Sequence, residues 1–431
     1  MNKIFQQRSA IDRRSFLRGA TLGGAALIGG HVAARAQSQE DPLNLLLDQI
    51  QDGDYGQGFD AATRGRAAGG ASSPTLSAPT VQATEQAIPQ YEAIVARGGW
   101  PTVAPAKNMR LGARNPSIVA LRQRLAASGD LEGTSGIAEV YDSYVDAAVR
   151  RFQLRHGITV DGRLNQQTLN ALNVPAQARL NQLKTNALRL RTLSGNVAPR
   201  TVVCNIPAAQ IEAIENGVVV SRHTAVVGKP DRASPDIQSR IVEINFNPYW
   251  TVPVSIVRKD LIPKMQAEPD YLTKNRIRIL DGRGEELTPA KINWYSEEAV
   301  NYKFKQDPGD LNSMGTIRIN FPSAHGVYMH DTPQKNLFGE DFRFHSSGCV
   351  RVQNVRDLVG WVLAEQTGWS RHEIEQVIKS GERKDARIAK PVPLFWVYVT
   401  AWADHDGVVQ FREDIYGRDG LGQVAASAAR E

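Results

Sequence analysis

The chain has 431 residues, too many for one ordinary core, and a composition usual for a globular protein, so two or three domains are expected. Its formal net charge is +6, but Lys3, Arg8, Arg13, Arg14, Arg18 and Arg35 crowd the first 36 residues against Asp12 alone, which leaves about +1 for the remainder. A body so close to neutrality gives no electrostatic ground for a nucleic-acid partner.

The first 36 residues read as a targeting signal. Arg13-Arg14-Ser15-Phe16-Leu17-Arg18 precedes a mildly apolar, glycine-rich run from Gly19 to Val32 and then Ala34-Arg35-Ala36. The pattern resembles a twin-arginine signal cleaved after Ala36, except that Asp12 stands where Ser or Thr is usual. The run falls short of the roughly 20 residues a spanning helix needs, so no stable membrane anchor is expected after cleavage. Leu43–Ile50 could form a short helix. Residues 37–80 as a whole, dominated from Gly53 by Gly, Ala, Ser and Pro, read as a flexible linker.

Helical periodicity begins near Val81, with Ile88, Tyr91 and Val95 on one stripe and Gly98-Gly99 closing it; residues 81–107 are read as a helical scaffold segment. Residues 108–175 read as three short helices. Asn115-Pro116 opens the first, Val145, Ala148, Val149 and Phe152 mark the second, and Asn165 caps the third. Phe152-Gln153, Gly157, the Asp161-Gly162 turn and Thr168 resemble the second half of a type 1 peptidoglycan-binding domain. Residues 176–199 form a connecting helix with Leu180, Leu183, Ala187 and Leu190 on one face.

From Arg200 the period becomes that of strands. Expected strands are Thr201–Ile206, Ile211–Ser221 broken by the Asn216-Gly217 hairpin turn, Thr224–Val227, Ile241–Asn245, Thr316–Asn320, Val327–His330 and Leu394–Ala401. Val355–Gln366 is the one substantial helix expected among them. The fold class is therefore multidomain α+β: a mostly β catalytic domain over residues 200–385, a small three-helix domain, flanking helices, and a C-terminal strand and tail over 386–431. Residues 255–314, long and irregular, read as a capping insertion over the site.

Chemistry concentrates between His330 and Arg351. Cys349 is one of only two cysteines and lies in Ser346-Ser347-Gly348-Cys349, where small side chains leave backbone amides approachable. It is the expected nucleophile. Cys204 falls in an expected buried strand, and both thiols are expected to be free and to differ in reactivity. His330 ends a strand that would fix its direction, so it is preferred over His345 as proton donor and acceptor. Strand alternation turns Asp331 to the opposite face, which makes a backbone carbonyl the expected partner of the second ring nitrogen. Gly348 and Cys349 amides, with Ser347 beside them, are the expected oxyanion donors, and Arg351 contacts substrate or braces the loop. Tyr249, Trp250, Trp294 and Tyr328 are groove candidates. His325, His330, His345, Asp331 and Cys349 match neither HExxH nor CxxC spacing, so no metal or other cofactor is called for.

His330, a spacer, and then Ser346, Ser347, Gly348, Cys349, Val350 and Arg351 resemble the signature of L,D-transpeptidases with a YkuD catalytic domain, in the long periplasmic branch that adds a type 1 peptidoglycan-binding domain and a capping subdomain. The position often held by His is Ser347. Asn247-Pro248-Tyr249-Trp250, Val327–Pro333 and Asp414-Ile415-Tyr416-Gly417 extend the likeness, which runs roughly from Gln86 to Gly420. The resemblance implies a periplasmic enzyme, exported by the twin-arginine route, whose partners are peptidoglycan stem peptides and glycan. It implies that Cys349 attacks the third residue of a tetrapeptide stem, releases D-alanine, and passes the thioester to an amine. An L,D-carboxypeptidase or an enzyme that attaches protein to peptidoglycan would differ only in acceptor. A non-catalytic wall-binding protein would have no need of the intact His330 and Cys349 pair. Papain-like chains place cysteine before histidine, the reverse of the order here.

Overall fold

The computed structural model describes residues 73–132, 138–195 and 197–420, so the expected signal, the Leu43–Ile50 helix and the linker up to residue 72 lie outside the described residues. The end of the expected linker is ordered. Leu76 is 1% exposed, Thr75 donates from its amide to Glu212 at 2.8 Å, and Ser77 caps α1 (Ala78–Ala96) by accepting from the Thr80 amide at 3.2 Å. Ser77-Ala78-Pro79 carries a cap and a first-turn proline. That local signal is masked by the low-complexity tract before it.

The helical module consists of α2 (Ser117–Ala127), α3 (Ser143–Arg155) and α4 (Gln166–Leu172) around Ile118, Leu121, Leu125, Val145, Val149, Phe152 and Leu172. Its Phe-Gln pair has two separate tasks. Phe152 fills the core, while the fully buried Gln153 donates to Asp161 Oδ1 and to the Arg163 carbonyl, each at 2.9 Å, and accepts from the Gly162 amide at 2.9 Å. One amide side chain thus ties the helix to the Asp161-Gly162 turn. The long helix α5 (Ala176–Ser194) then packs beside α1, and Leu180, Leu183, Ala87 and Tyr91 share a core with Phe411.

The strands follow as β1 (Arg200–Asn205), β2 (Gln210–Glu215), β3 (Val218–Gly228) and β4 (Ile237–Phe246), then β5 (Trp250–Thr251), β6 (Ile277–Leu280), β7 (Glu286–Leu287) and β8 (Lys303–Gln306). β9 (Ile317–Asn320), β10 (Met329–His330), β11 (Phe344–Ser346), β12 (Val350–Val352), β13 (Lys384–Val397), β14 (Ala401–Ala403) and β15 (Val409–Phe411) complete the set. Nine of them form one sheet in the order β11-β3-β12-β10-β9-β4-β13-β1-β2, and β2 pairs again with β3. The sheet therefore closes on itself. The long β3 makes this possible by pairing with β2 through Thr224, with β12 at Ala225 and Val226, and with β11 at Val227 and Gly228. Inward residues such as Ile244, Ile319, Met329, Val350 and Leu394 join Val355, Leu358 and Val362 of α6 (Val355–Leu363) in the main core.

Two departures from expectation have local causes. A second helix, α7 (Arg371–Ser380), follows α6; Ser370 and Glu373 form a capping box, a legible start signal on a short and strongly polar helix. Residues 250–306 are not irregular but contain a four-stranded sheet, β5-β8-β6-β7, with its own core of Val257, Leu261, Met265, Ile279 and Phe304. The strands are too short to show a period. This cap rises from between β4 and β9, adjacent strands of the main sheet, and its neck is stitched by Asn312 Nδ2 donating to the Pro248 carbonyl at 3.0 Å and to the Asp307 carbonyl at 2.9 Å. Among the described residues no helix is long and apolar enough to cross a membrane.

The helical module meets the rest of the body at Arg155, which a buried ion pair within the module holds in place. Arg155 Nε lies 2.6 Å from Asp130 Oδ1, Nη1 donates to the Val409 carbonyl at 3.3 Å, and the neighbouring His156 ring stacks on Phe152 and Phe411. Asp130→Ala leaves that guanidinium buried and unpaired, with an expected loss of about 3–5 kcal/mol in urea unfolding. A loss below about 1 kcal/mol would show that the pair behaves as an exposed one.

Candidate active site

The site follows from the register of two very short strands. β10 and β12 run parallel with Met329 opposite Val350 and His330 opposite Arg351, and the Val350 amide donates to the Tyr328 carbonyl at 3.1 Å. Met329 and Val350 are fully buried in the core. Alternation then turns Tyr328 and His330 on one strand, and Cys349 and Arg351 on the next, to the opposite face. Across the other edge of β10, Arg318 of β9 lies directly beside His330. The start of β12 and the two strands beside it thus bring Cys349, His330 and Arg318 onto one face.

His330 is 7% exposed, and its Nδ1 faces the main-chain carbonyl of Asp331. A carbonyl only accepts, so Nδ1 carries the proton and Nε2 presents a lone pair. The Asp331 carboxylate is occupied elsewhere: it accepts from the Thr316 amide and hydroxyl, each at 2.9 Å, from the Thr332 amide at 2.8 Å, and from Lys335. Gly315, at φ +59°, leaves room for it, since an added Cβ would stand 2.4 Å from Asp331 Oδ2. The carboxylate builds the turn that aims the imidazole.

Burial, followed by the Arg351 charge, pushes the His330 imidazole down to about 3. Burial pushes the Cys349 thiol up to about 11, against the Tyr328 amide, Arg318, the Tyr328 hydroxyl and Arg351, which all favour its anion. Both groups are therefore neutral at rest, and no standing thiolate and imidazolium pair is stored. Cys204, the other free cysteine, is fully buried, and burial alone raises its thiol far beyond reach.

The loop before Cys349 is held from both sides. Gly348 adopts φ +108°, a region that only glycine enters freely. Its amide donates to Ser346 Oγ at 3.2 Å, and its carbonyl accepts from Ser234 Oγ at 2.8 Å. The Gly348 amide is thus engaged within the loop, which corrects the expectation that it points at an oxyanion. Among the described residues the Cys349 amide has no acceptor. The Ser347 hydroxyl accepts from Arg232 Nη1 at 2.9 Å, and the same guanidinium grips Asp260 of the cap at 2.5 and 3.1 Å. Asp260 lies in a π-helical turn, Val257–Leu261, a rare geometry that recurs at functional positions.

The remaining expected residues separate. Tyr328 stacks edge-on to His330 with ring centroids 5.8 Å apart, and its hydroxyl lies between Trp250 and Cys349. Tyr249 faces the Lys305 ammonium at 4.0 Å at the foot of the cap. Trp294 is corrected: it is 9% exposed, packs on Phe304 in the cap core and donates to the Pro289 carbonyl, so it lines no groove. Arg351 donates to Gln334 at 2.6 Å. His345 bonds with Glu340 and the Phe342 carbonyl away from the thiol. Sequence reasoning missed Arg318, Arg232 and Asp260. Arg318 does show a signal, since Ile317-Arg318-Ile319-Asn320 alternates, but nothing local names the strand beside it.

Comparison with known proteins identifies two domains in the chain. Residues 199–383 match the L,D-transpeptidase catalytic domain, YkuD, and residues 114–172 match the peptidoglycan binding domain PG_binding_1. A protein of Haemophilus influenzae named "Putative L,D-transpeptidase" is 33% identical over 265 residues, 60% of this chain and 53% of that one, so the chain spans about half the length of the curated relative it matches. An L,D-transpeptidase from Xylanimonas cellulosilytica is 15% identical over 68% of this chain and 98% of its own, with a TM-score of 0.22. One from Stackebrandtia nassauensis is 12% identical over 68% and 97%, with a TM-score of 0.26. Both likenesses are too loose to carry weight. The chain therefore carries a match to the YkuD L,D-transpeptidase catalytic domain over residues 199–383 and one to PG_binding_1 over residues 114–172, and its curated relative bears an L,D-transpeptidase name.

Proposed function

We propose that the chain crosslinks peptidoglycan stem peptides through a thioester on Cys349, acting on the cell-wall side of the membrane after export by the twin-arginine route. The observation that carries this reading is the β10–β12 register, which sets Cys349 and a Nε2-unprotonated His330 on one face. As the Cys349 sulfur attacks the carbonyl of the third stem residue, His330 Nε2 takes the thiol proton. The Cys349 amide donates to the oxyanion that develops. Collapse breaks the peptide bond, His330 returns the proton to the departing D-alanine nitrogen, and a thioester remains. An amine from a neighbouring stem then attacks the thioester, gives its proton to His330, and restores the thiol.

Neutral resting groups suit this chemistry, because a half-buried thiol without charge is protected until donor binding brings the carbonyl to it. Water is the competing acceptor, and the cap supports its exclusion through the Asp260, Arg232 and Ser347 chain described above. The helical module would keep the enzyme near its polymer.

Incubation of the full-length mature protein with a disaccharide bearing a tetrapeptide, read by mass spectrometry, tests the reaction. Crosslinked dimer with loss of alanine is expected from the unaltered protein and none from Cys349→Ala, while His330→Gln should slow turnover roughly 100- to 10,000-fold. Turnover that survives in Cys349→Ala would falsify the cysteine mechanism, and trimmed monomer alone would mark a carboxypeptidase. A second measurement follows the raised thiol. Since the thiolate forms only as pH rises toward about 11, alkylation of Cys349 by iodoacetamide should climb steadily through neutral and mildly alkaline pH. A rate already flat from acid pH upward would mean a standing ion pair. Third, Asp260→Ala frees one end of the cap, and the ratio of hydrolysed tripeptide to dimer should rise; an unchanged ratio would remove the cap from the control of water.

A further inference from the structure

Arg318 is a half-buried cation without a counter-ion. Its guanidinium lies 4.3 Å from the Tyr328 ring centroid, and its Nε is buried with no hydrogen-bond partner. Among the described residues it has no ion pair, and no acceptor within the protein takes its terminal nitrogens. Asp331, which follows His330, is filled by Thr316, Thr332 and Lys335. A cation kept unpaired beside a reactive thiol and a neutral imidazole is costly unless a ligand supplies the anion.

Position shows which anion. Cys349 immediately precedes β12 and is level with Tyr328, whereas His330 of β10 stands between Arg351 of β12 and Arg318 of β9. Strands stand about 4.8 Å apart, and the Arg318 guanidinium lies over the ring of Tyr328, so a line from Cys349 across β10 to that guanidinium spans two strand spacings and passes beside His330. In the reaction proposed above, the attacked carbonyl must be at Cys349 and the departing nitrogen within reach of His330. The carboxylate of the departing residue is one carbon beyond that nitrogen, continuing the line toward β9. We propose that Arg318 binds the C-terminal carboxylate of the departing residue, so that the site selects donors that end one residue after the scissile bond. Arg318 is then a specificity-determining residue, and this assignment rests on the transpeptidase reading.

Stacking on Tyr328 holds the guanidinium flat and leaves its outer nitrogens free for a charge-assisted contact. On the next strand, Asn245 lies opposite Arg318, but its amide is committed to Glu243 at 2.8 Å and Asp385 at 2.7 Å. Those acids are bound beyond Arg318, and the line ends there.

The test compares three tetrapeptide donors: the free acid, its C-terminal carboxamide, and one amidated instead on the side-chain carboxylate of the third residue. For the unaltered protein, kcat/KM for release of the terminal residue should be on the order of 10- to 100-fold higher for the free acid than for the C-terminal carboxamide. In Arg318→Met, which keeps an apolar side chain over Tyr328, that ratio should fall to near one because only the free-acid rate drops. Arg318→Lys should recover part of it. Equal loss on all donors in Arg318→Met, with the ratio preserved, would reduce Arg318 to a structural role. Loss of discrimination only against the third-residue amide would assign Arg318 to the wrong carboxylate. Failure of the unaltered protein to act on any donor would sink the transpeptidase reading itself, and this assignment with it.

Discussion

The site depends on a parallel pairing of two strands that are only two and three residues long. β10 and β12 cannot hold one another by their own hydrogen bonds, and each is fixed from its far side. β9 pairs with β10, and the end of β3 pairs with β12. Because β3 also reaches β2, the ring of strands closes, and the pairing has no free edge along which to slip. A slip of one residue would carry Cys349 into the core and Val350 to the surface. Full burial of Met329 and Val350 is therefore what aims the reactive face.

That face has an unusual charge balance. Arg318 and Arg351 border it, and Asp331, the acid next in sequence to His330, is turned away and neutralised by Lys335 and three other donors. Two cations close to a buried imidazole oppose its protonation, which suits His330 to the proposed role of accepting a proton from sulfur. The thiol is under opposite pulls, raised by burial and lowered by the same cations. Burial wins. A substrate carboxylate would relieve the cationic excess and exclude water in one event, which couples donor binding to activation of the pair.

Much of this was legible in the residues. The Ser-Ser-Gly-Cys loop, the histidine at a strand end, the Asn216-Gly217 turn with both residues at positive φ, and the Gln153 and Asp161-Gly162 pairing each carry local chemistry that survives without a structure. Alternation alone turned Asp331 away from His330. Most of what was not legible depends on partners far apart in the chain. Trp294 has the composition of a groove residue, and only the cap sheet shows that it is core. The Gly348 amide is taken by Ser346, two residues away, through a glycine conformation that sequence does not specify. Arg232 and Asp260 sit in stretches without a period. Leu76 lay hidden at the end of a tract that looked unable to fold.

The cap explains why the same face can be closed without being blocked. It leaves the main sheet between β4 and β9, so its neck stands on the Arg318 side of the line of reactive groups, while Arg232 ties its π-helical turn to Ser347 on the cysteine side. The cap is thus held at two points that straddle Cys349 and His330. Of the two, the neck is built from two chain crossings bridged by the Asn312 side-chain amide, whereas the other is one exposed-edge ion pair and one hydroxyl, with Asp260 about one-third exposed. Exposed pairs contribute little each, so the Ser347 side is the end that can release while the neck holds. In the proposed reaction, opening from that end would admit an acceptor along the cysteine loop and leave the side where Arg318 lies undisturbed. A cap hinged at the opposite end would expose the donor's anchor first, and the thioester would meet water before it met an amine.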